Sequence, residues 1–389
     1  MSTTRSRPGV AKGGHVSAGL EPGRGLTDHE AMRLLTGVVA NPSPSGHERG
    51  VAELLVAAAR GWARDAFVDP VGNAVAVWGK GPLNVTFLGH MDTVPGDIPV
   101  RVEDGVLHGR GSVDAKGSLC AALVAATRLP VGVWERLSVT FIGAVEEEAP
   151  SSRGAHYATA AYQVPDLVIV GEPSGWERYT LGYKGRLGVT YTAVRRGAHS
   201  SREETTAAEA AVDAFTGLRD WVNRDNLGME RLFERLQVSL IAMESGGDGL
   251  EEWCRARVSL RLPPRWSGAA LAGAIAGLPL PSGVTVDLTA PLDAYRSDSG
   301  SELARAFRVA IRSVGGSPRP SLKTGTSDMN VVAPHWNAPM VAYGPGDSNL
   351  DHTPEERLVL REYLLAVDVL ERVMLELAGQ AGPPKVAAE

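Results

Sequence analysis

The segment Leu88-Gly-His-Met-Asp-Thr-Val-Pro95 constrains this chain more than any other. It follows an apolar, strand-like run, Val85-Thr-Phe-Leu88, and sets an imidazole and a carboxylate two residues apart. In an extended backbone, residues i and i+2 point the same way. His90 and Asp92 are therefore expected to face one spot at the carboxyl end of a buried strand, where open α/β sheets keep their sites. Such a contact is often a plain structural hydrogen bond. It is equally the arrangement that fixes the tautomer of a metal-bound imidazole. The pair alone does not choose between the two.

The pattern recurs. Asp114 lies in Gly109-Arg-Gly-Ser-Val-Asp-Ala-Lys-Gly117, just before an alanine-rich stretch from Leu119 to Leu129 that reads as a helix. A helix N-cap is the plain alternative there. Glu146-Glu147-Glu148 closes an apolar run from Leu137 to Val145, and Glu172 closes Leu167-Val-Ile-Val-Gly171. His352 sits in the turn-rich stretch Asp351-His-Thr-Pro-Glu-Glu356. Charge runs are usually solvated faces, but acids at a strand exit followed by Ala-Pro-Ser-Ser fit a site better. Five such positions are hard to read as five caps. Two histidines and three carboxylates exclude a cysteine-rich structural zinc site. They suit two divalent ions sharing one carboxylate, with places left for water and substrate. Adjacent residues of an extended segment point oppositely, so Glu147 and Glu148 are not both expected on one ion. A glutamate beside the ligands would shuttle the proton.

With these motifs the chain resembles the M20 family of co-catalytic metallopeptidases and amidohydrolases. His90-x-Asp92, Gly111-x-x-Asp114-x-Lys-Gly117, Glu147-Glu148, Gly171-Glu172-Pro173 and His352 follow in the family's order over most of the chain. The resemblance implies that His90 and Glu172 bind one metal, Glu148 and His352 the other, and that Asp114 bridges them. It makes Asp92 the group that orients His90 and Glu147 the general acid/base. The third glutamate, Glu146, departs from the family's Asp-Glu-Glu. Two divalent ions are implied, zinc or else cobalt. In the insert, His199 of Arg196-Gly-Ala-His-Ser-Ser201 matches a lid histidine that reaches across a dimer interface to the oxyanion. Arg261 matches a carboxylate clamp, and Gly325 and Thr326 match a substrate loop.

Longer phrases narrow the likeness: Val145-Glu-Glu-Glu-Ala-Pro-Ser-Ser-Arg-Gly154, Leu181-Gly-Tyr-Lys-Gly-Arg-Leu187 and Lys323-Thr-Gly-Thr-Ser-Asp-Met-Asn330 among them. They resemble the branch of M20 that releases lysine or ornithine from the C-terminal glutamate γ-carboxyl of a small acidic amino-group carrier protein, LysW-like. A cytoplasmic homodimer in lysine or arginine biosynthesis is implied. Another M20 deacylase or a dipeptidase is the enzymatic alternative, and a catalytically silent carrier-binding protein the other. Every ligand and the base are retained, which disfavours the silent form.

At 389 residues, two domains are expected. The fold class is α/β: a mixed-sheet, zinc-peptidase-like catalytic domain at 26–183 and 293–377, with an inserted α+β lid at 184–292, an open antiparallel sheet plus two helices. Asp28 reads as the first N-cap. The lid elements expected are strands Leu187–Arg195, Cys254–Leu262 and Val284–Leu288, a helix Thr206–Val222 and one more helix. A last helix is expected over Arg361–Glu376. Residues 1–25 and 378–389 read as disordered, without the apolar core of a signal peptide. No apolar stretch approaches the roughly 20 residues that span a bilayer. Net charge −6 disfavours bulk nucleic-acid binding, so an acidic carrier needs a local basic patch. Lys184, Arg186, Arg195, Arg196 and Arg202 are the candidates. Two cysteines fit a reducing compartment, and no Gly-x-Ser-x-Gly elbow marks a serine hydrolase.

Overall fold

The computed structural model describes residues 25–197 and 204–380. Its apolar runs become the middle of a nine-stranded sheet. Leu137–Ala144, Leu83–His90, Leu167–Gly171 and Met340–Ala342 lie side by side in that order, all parallel. Both faces of these strands are covered, which is why they read as near-continuous apolar runs rather than alternating ones. Phe87, Phe141 and Ile169 pack with Leu119 and Leu123 on one side. Leu88, Ile142 and Val170 pack with Ala155, Ala158 and Val332 on the other. Antiparallel strands flank this block, Ala74–Gly79 and Asp65–Val68 beyond Leu137–Ala144, and Arg178–Tyr183 beyond Met340–Ala342. The four parallel strands end at one edge, where His90 and Asp92, the Glu146 to Glu148 triplet, Glu172 and His352 lie at or beyond the strand ends. Asp114 instead follows the short strand Val106–His108 of a separate three-stranded sheet.

Residues 185–288 build a second sheet with its own core. Gln237–Gly247, Glu251–Leu262, Gly185–Arg196 and Val284–Leu288 pair antiparallel in that order. Helices Ala207–Asp225 and Gly268–Ala276 cover one face, packing Leu218 and Ile275 against Leu187, Val189, Tyr191 and Leu260. The strand Gln237–Gly247 was not expected. It is a mostly exposed edge strand with a register shift between Leu240 and Ala242, so it lacks the period-2 burial that would reveal it.

Other expectations need correction. Thr27, not Asp28, caps the first helix, sharing a capping box with Glu30. The last helix runs Leu360–Gln380. Asp114 is no cap, since the next helix begins at Lys116 with Ala115 before it and no side-chain bond. The basic patch also changes. Lys184 is fully buried, its Nζ donating to the carbonyl of Arg235 and, at 2.8 Å, to Gln237 Oε1. Arg195 donates to Ser282 O. His199, Arg202 and both chain ends expected to be disordered lie outside the described residues, apart from Gly25, Ala378, Gly379 and Gln380.

Asn73 braces this framework from below the acidic turn. Fully buried, it donates to Asp69 Oδ2 (2.9 Å) and Gly154 O (3.1 Å) and accepts the N–H of Val145 (3.1 Å). Asn73→Ala leaves these groups unmatched and should cost about 2–3 kcal/mol in urea unfolding. A loss under about 0.5 kcal/mol, the range of ordinary surface changes, would contradict the bracing role.

Candidate metal centre

The strand ends converge on Asp114. Its Oδ1 lies 3.2 Å from His90 Nε2, and its Oδ2 lies 3.1 Å from His352 Nε2. One carboxylate thus stands between two imidazoles. Ligand atoms of His90, Asp114 and Glu172 lie within 4.8 Å of one another, as do those of Asp114, Glu148 and His352. His352 Nε2 is 2.8 Å from Glu148 Oε1. Two three-residue groups therefore share Asp114.

Backbone N–H groups aim these side chains. Asp92, fully buried, accepts the N–H of Glu147 (3.0 Å) on one oxygen, and the N–H of Glu148 (2.9 Å) and the hydroxyl of Ser45 (2.7 Å) on the other. Its carboxylate stands 3.5 Å from His90 Nδ1, while the nearer acceptor for that nitrogen is the Asp92 carbonyl at 3.0 Å. Asp92 therefore orients His90 chiefly through its backbone and uses its side chain to pin the acid pair. Glu146 turns away. At φ 59° it enters the left-handed region and binds Arg153 (2.7 Å) and Ser151 (2.6 Å). That turn also breaks the extended geometry assumed for the triplet.

On the other side, Glu356 accepts the N–H groups of Val113 (3.0 Å) and Asp114 (3.2 Å) and pairs with Arg110 at 2.8 Å. Arg110 also donates to Thr353 O at 3.1 Å. This buried latch ties the His352 turn to the Asp114 turn. Sequence reasoning missed both partners, although Arg110 stands inside the Gly109-Arg-Gly111 motif and Glu356 closes the His352 motif. It also missed Asp351, next to His352, and Asp328, two residues after Thr326.

Charge is concentrated here beyond what hydrogen bonds neutralise. Burial pushes Glu172 up to about 8, with Asp114 and Asp351 adding repulsion. Burial and Asp114 push Asp351 up to about 8, and burial with Asp92 takes Asp328 up to about 7. Burial also lifts Glu147 well above the carboxylate range, reinforced by Glu172, Asp328 and Glu148. Hydrogen bonds to Asp114 and Glu148 hold His352 up at about 10. For His90 burial works against protonation, but Asp114 and Asp92 prevail and raise it well above its ordinary value. Both oxygens of Asp328, Oδ1 of Asp351 and the Tyr183 hydroxyl are buried with no hydrogen-bond partner. Nitrogen and oxygen donors, a shared carboxylate and orphaned acids fit divalent cations, which would supply the missing positive charge.

The residues expected to hold substrate come together in part. Arg261, from the inserted sheet, donates to Thr326 Oγ1 at 2.9 Å, and its charge is felt at Glu147. Gly325 has open space around it, since an added Cβ would meet nothing within 4 Å. The fold itself does not demand glycine there.

A model of peptidase family M20/M25/M40 matches residues 86–376. The chain is 48% identical over 359 residues to a "[LysW]-lysine hydrolase" of Deinococcus radiodurans, covering 90% of this chain and 97% of that one. It is 38% identical to a "Putative [LysW]-lysine/[LysW]-ornithine hydrolase" of Pyrococcus furiosus, covering 91% and 99%. Among solved structures it is similar to an M20 family metallo-carboxypeptidase of Sulfolobus solfataricus (TM-score 0.72, 17% identity, covering 90% of this chain and 99% of that one). Human carnosine dipeptidase 1 has the same fold (TM-score 0.68, 16% identity, covering 90% and 96%).

Proton linkage gives a test of the cation reading. Glu172, Asp328, Asp351, His90 and His352 all bind protons more tightly folded than unfolded. The metal-free protein should then lose stability as pH rises from about 5 to 8, because the folded state holds protons the unfolded chain releases. Asp114, lowered by the two imidazoles despite burial, acts oppositely, but only on acidification through the ordinary Asp range. Metal binding expels the extra protons, so added zinc should raise Tm more at pH 8 than at pH 6. An equal or smaller rise at pH 8 would reject the site. His352→Ala should lower bound metal by elemental analysis, and an unchanged content would remove it from the ligand set.

Proposed function

The chain belongs to peptidase family M20/M25/M40 and is a hydrolase of amide bonds; from that premise we propose that it frees lysine, or ornithine, from the γ-carboxyl of the C-terminal glutamate of an acidic, LysW-like carrier. The likeness to the Deinococcus relative over nine-tenths of the chain supports this substrate. The two ligand groups sharing Asp114 support the chemistry. His90, Asp114 and Glu172 would hold one divalent ion and Asp114, Glu148 and His352 the other, zinc in our reading, with cobalt accepted by the same donors. Bound there, such a pair polarises an amide carbonyl and lowers the pKa of water.

The protein's own residues supply the rest. Glu147, held by its N–H on Asp92 and raised by burial among other acids, accepts the proton of the attacking water. It then passes that proton to the departing α-amine. Its raised affinity for protons suits both halves of the task. Arg261, steadied by Thr326, offers a planar fork to a substrate carboxylate. By the resemblance, His199 would serve the oxyanion from a second copy, which would make the working unit a homodimer, one that would act in the cytoplasm within lysine or arginine biosynthesis. No helix among the described residues is long and apolar enough to cross a membrane, and both cysteines are free and buried.

Metal-loaded enzyme incubated with carrier bearing lysine or ornithine should release the free amino acid and leave a carrier lighter by that residue in mass spectrometry. Intact carrier alongside cleavage of N-acetylornithine would move the protein to the deacylase reading. Glu147→Gln should keep its metal yet lose ~10²–10⁴ in kcat. Turnover near the parent value would free Glu147 from its role.

A further inference from the structure

The open face of the inserted sheet carries charge that the chemistry above does not use. Along Glu251–Leu262, even-numbered residues from Cys254 to Leu262 are buried under the two helices, so the odd ones face away from them. Arg255, Arg257 and Arg261 occupy three of those outward positions. On the neighbouring strand Arg186 stands directly opposite Arg261, with Thr190 opposite Arg257 and Thr192 opposite Arg255. Like charges in register repel, and little on this face relieves them. Glu244 reaches Arg257 at 3.6 Å, both side chains being more than half exposed. Among the described residues Arg186, Arg255 and Arg261 have no carboxylate within ion-pair distance. The other acids on this face lie aside, Glu251 opposite Arg196 at the far end and Asp287 on the opposite outer strand.

The row has a direction. Arg261 meets Thr326 and the field of Glu147, so this end of the face overlooks the metal centre. At about 3.4 Å per residue, Arg255 lies roughly 20 Å farther out along the strand. A chain of net charge −6 thus keeps a line of guanidinium groups leading to its site, with Glu244, opposite Arg255 and 3.6 Å from Arg257, as the one carboxylate beside it among the described residues. A small free amino acid derivative has no use for positive charge that far from the scissile bond. We infer that Arg255 and Arg257, continuing outward from Arg186 and Arg261, form the docking track for an acidic protein whose C-terminal residue enters the site. This rests on the carrier reading above and names the surface that reading requires. Partner acids would settle along the track, while the terminal glutamate reaches Arg261 and Arg186. Charges at the rim of such a contact act chiefly on encounter rate and its salt dependence.

Arg255→Glu/Arg257→Glu separates docking from chemistry, because neither residue touches the catalytic groups. Two substrates are compared, the LysW-like carrier bearing lysine and the free dipeptide γ-glutamyl-lysine. For the carrier, kcat/KM should fall ~10–100-fold at low salt and lose most of its salt dependence. For the dipeptide it should stay within about twofold, which also reports an intact fold and site. Arg255→Gln/Arg257→Gln should fall between the parent and the charge-reversed pair. Equal effects on both substrates, or none on either, overturn the track. Parent enzyme that cleaves the dipeptide but not the carrier sinks the carrier reading, and the track with it. Parent enzyme that cleaves the carrier while the variants match it sinks the track alone. Conversion of a dimer to a monomer by the charge-reversed pair in sedimentation would assign the face to a second copy and overturn docking.

Discussion

Repulsion among carboxyl groups around Asp114 governs this molecule. Asp114, Glu147, Glu148, Glu172, Asp328 and Asp351 share one region with two imidazoles, and burial removes the water that would screen them. A cage of this kind either takes up protons or holds cations. Two histidines facing opposite oxygens of one aspartate divide the space into two places for positive charge. The parallel sheet makes the crowding possible by ending four strands at one edge, toward which the segment after Val106–His108 brings Asp114.

Holding such groups together takes backbone that would not choose its conformation unaided. Glu146 and His352 both sit at positive φ, 59° and 62°, a region that costs a side-chain-bearing residue about 1–2 kcal/mol. Both are fixed from outside. Arg153 and Ser151 hold Glu146. The Arg110–Glu356 pair closes the turn that bears His352. Asp92 and Glu356 do parallel work on opposite sides of the centre, Asp92 spending its carboxylate on the N–H groups of Glu147 and Glu148, Glu356 on those of Val113 and Asp114.

Much of this was legible in the chain. Strands buried on both faces leave continuous apolar runs, and a His or acid at each exit stands out against them, so the candidate positions that the fold gathers around Asp114 could be picked out in the chain. What stayed hidden depends on contacts distant in sequence. Lys184 looked like part of a surface patch, yet the turn after Tyr183 carries it inward to the Arg235 carbonyl. The arginine track needs the register of two strands, and no spacing within one strand reveals that Arg186 meets Arg261. The edge strand Gln237–Gly247 escaped because a solvated, bulged strand has no buried alternation to detect. Asp92 was recognised, but its main task, binding the N–H groups of Glu147 and Glu148, follows only from the folded turn.

One detail of the topology bears on how the molecule is made. Met340–Ala342 slots between Leu167–Gly171 and Arg178–Tyr183, two strands synthesised far earlier. On the ribosome those earlier strands must wait with open edges while the whole insert is translated and able to fold on its own core. Until the late strand arrives the sheet has a gap, and unpaired edges of this kind invite pairing with other chains. The catalytic half is thus the slower to close and the more exposed to misassembly in the nascent chain, although most of its residues are made first.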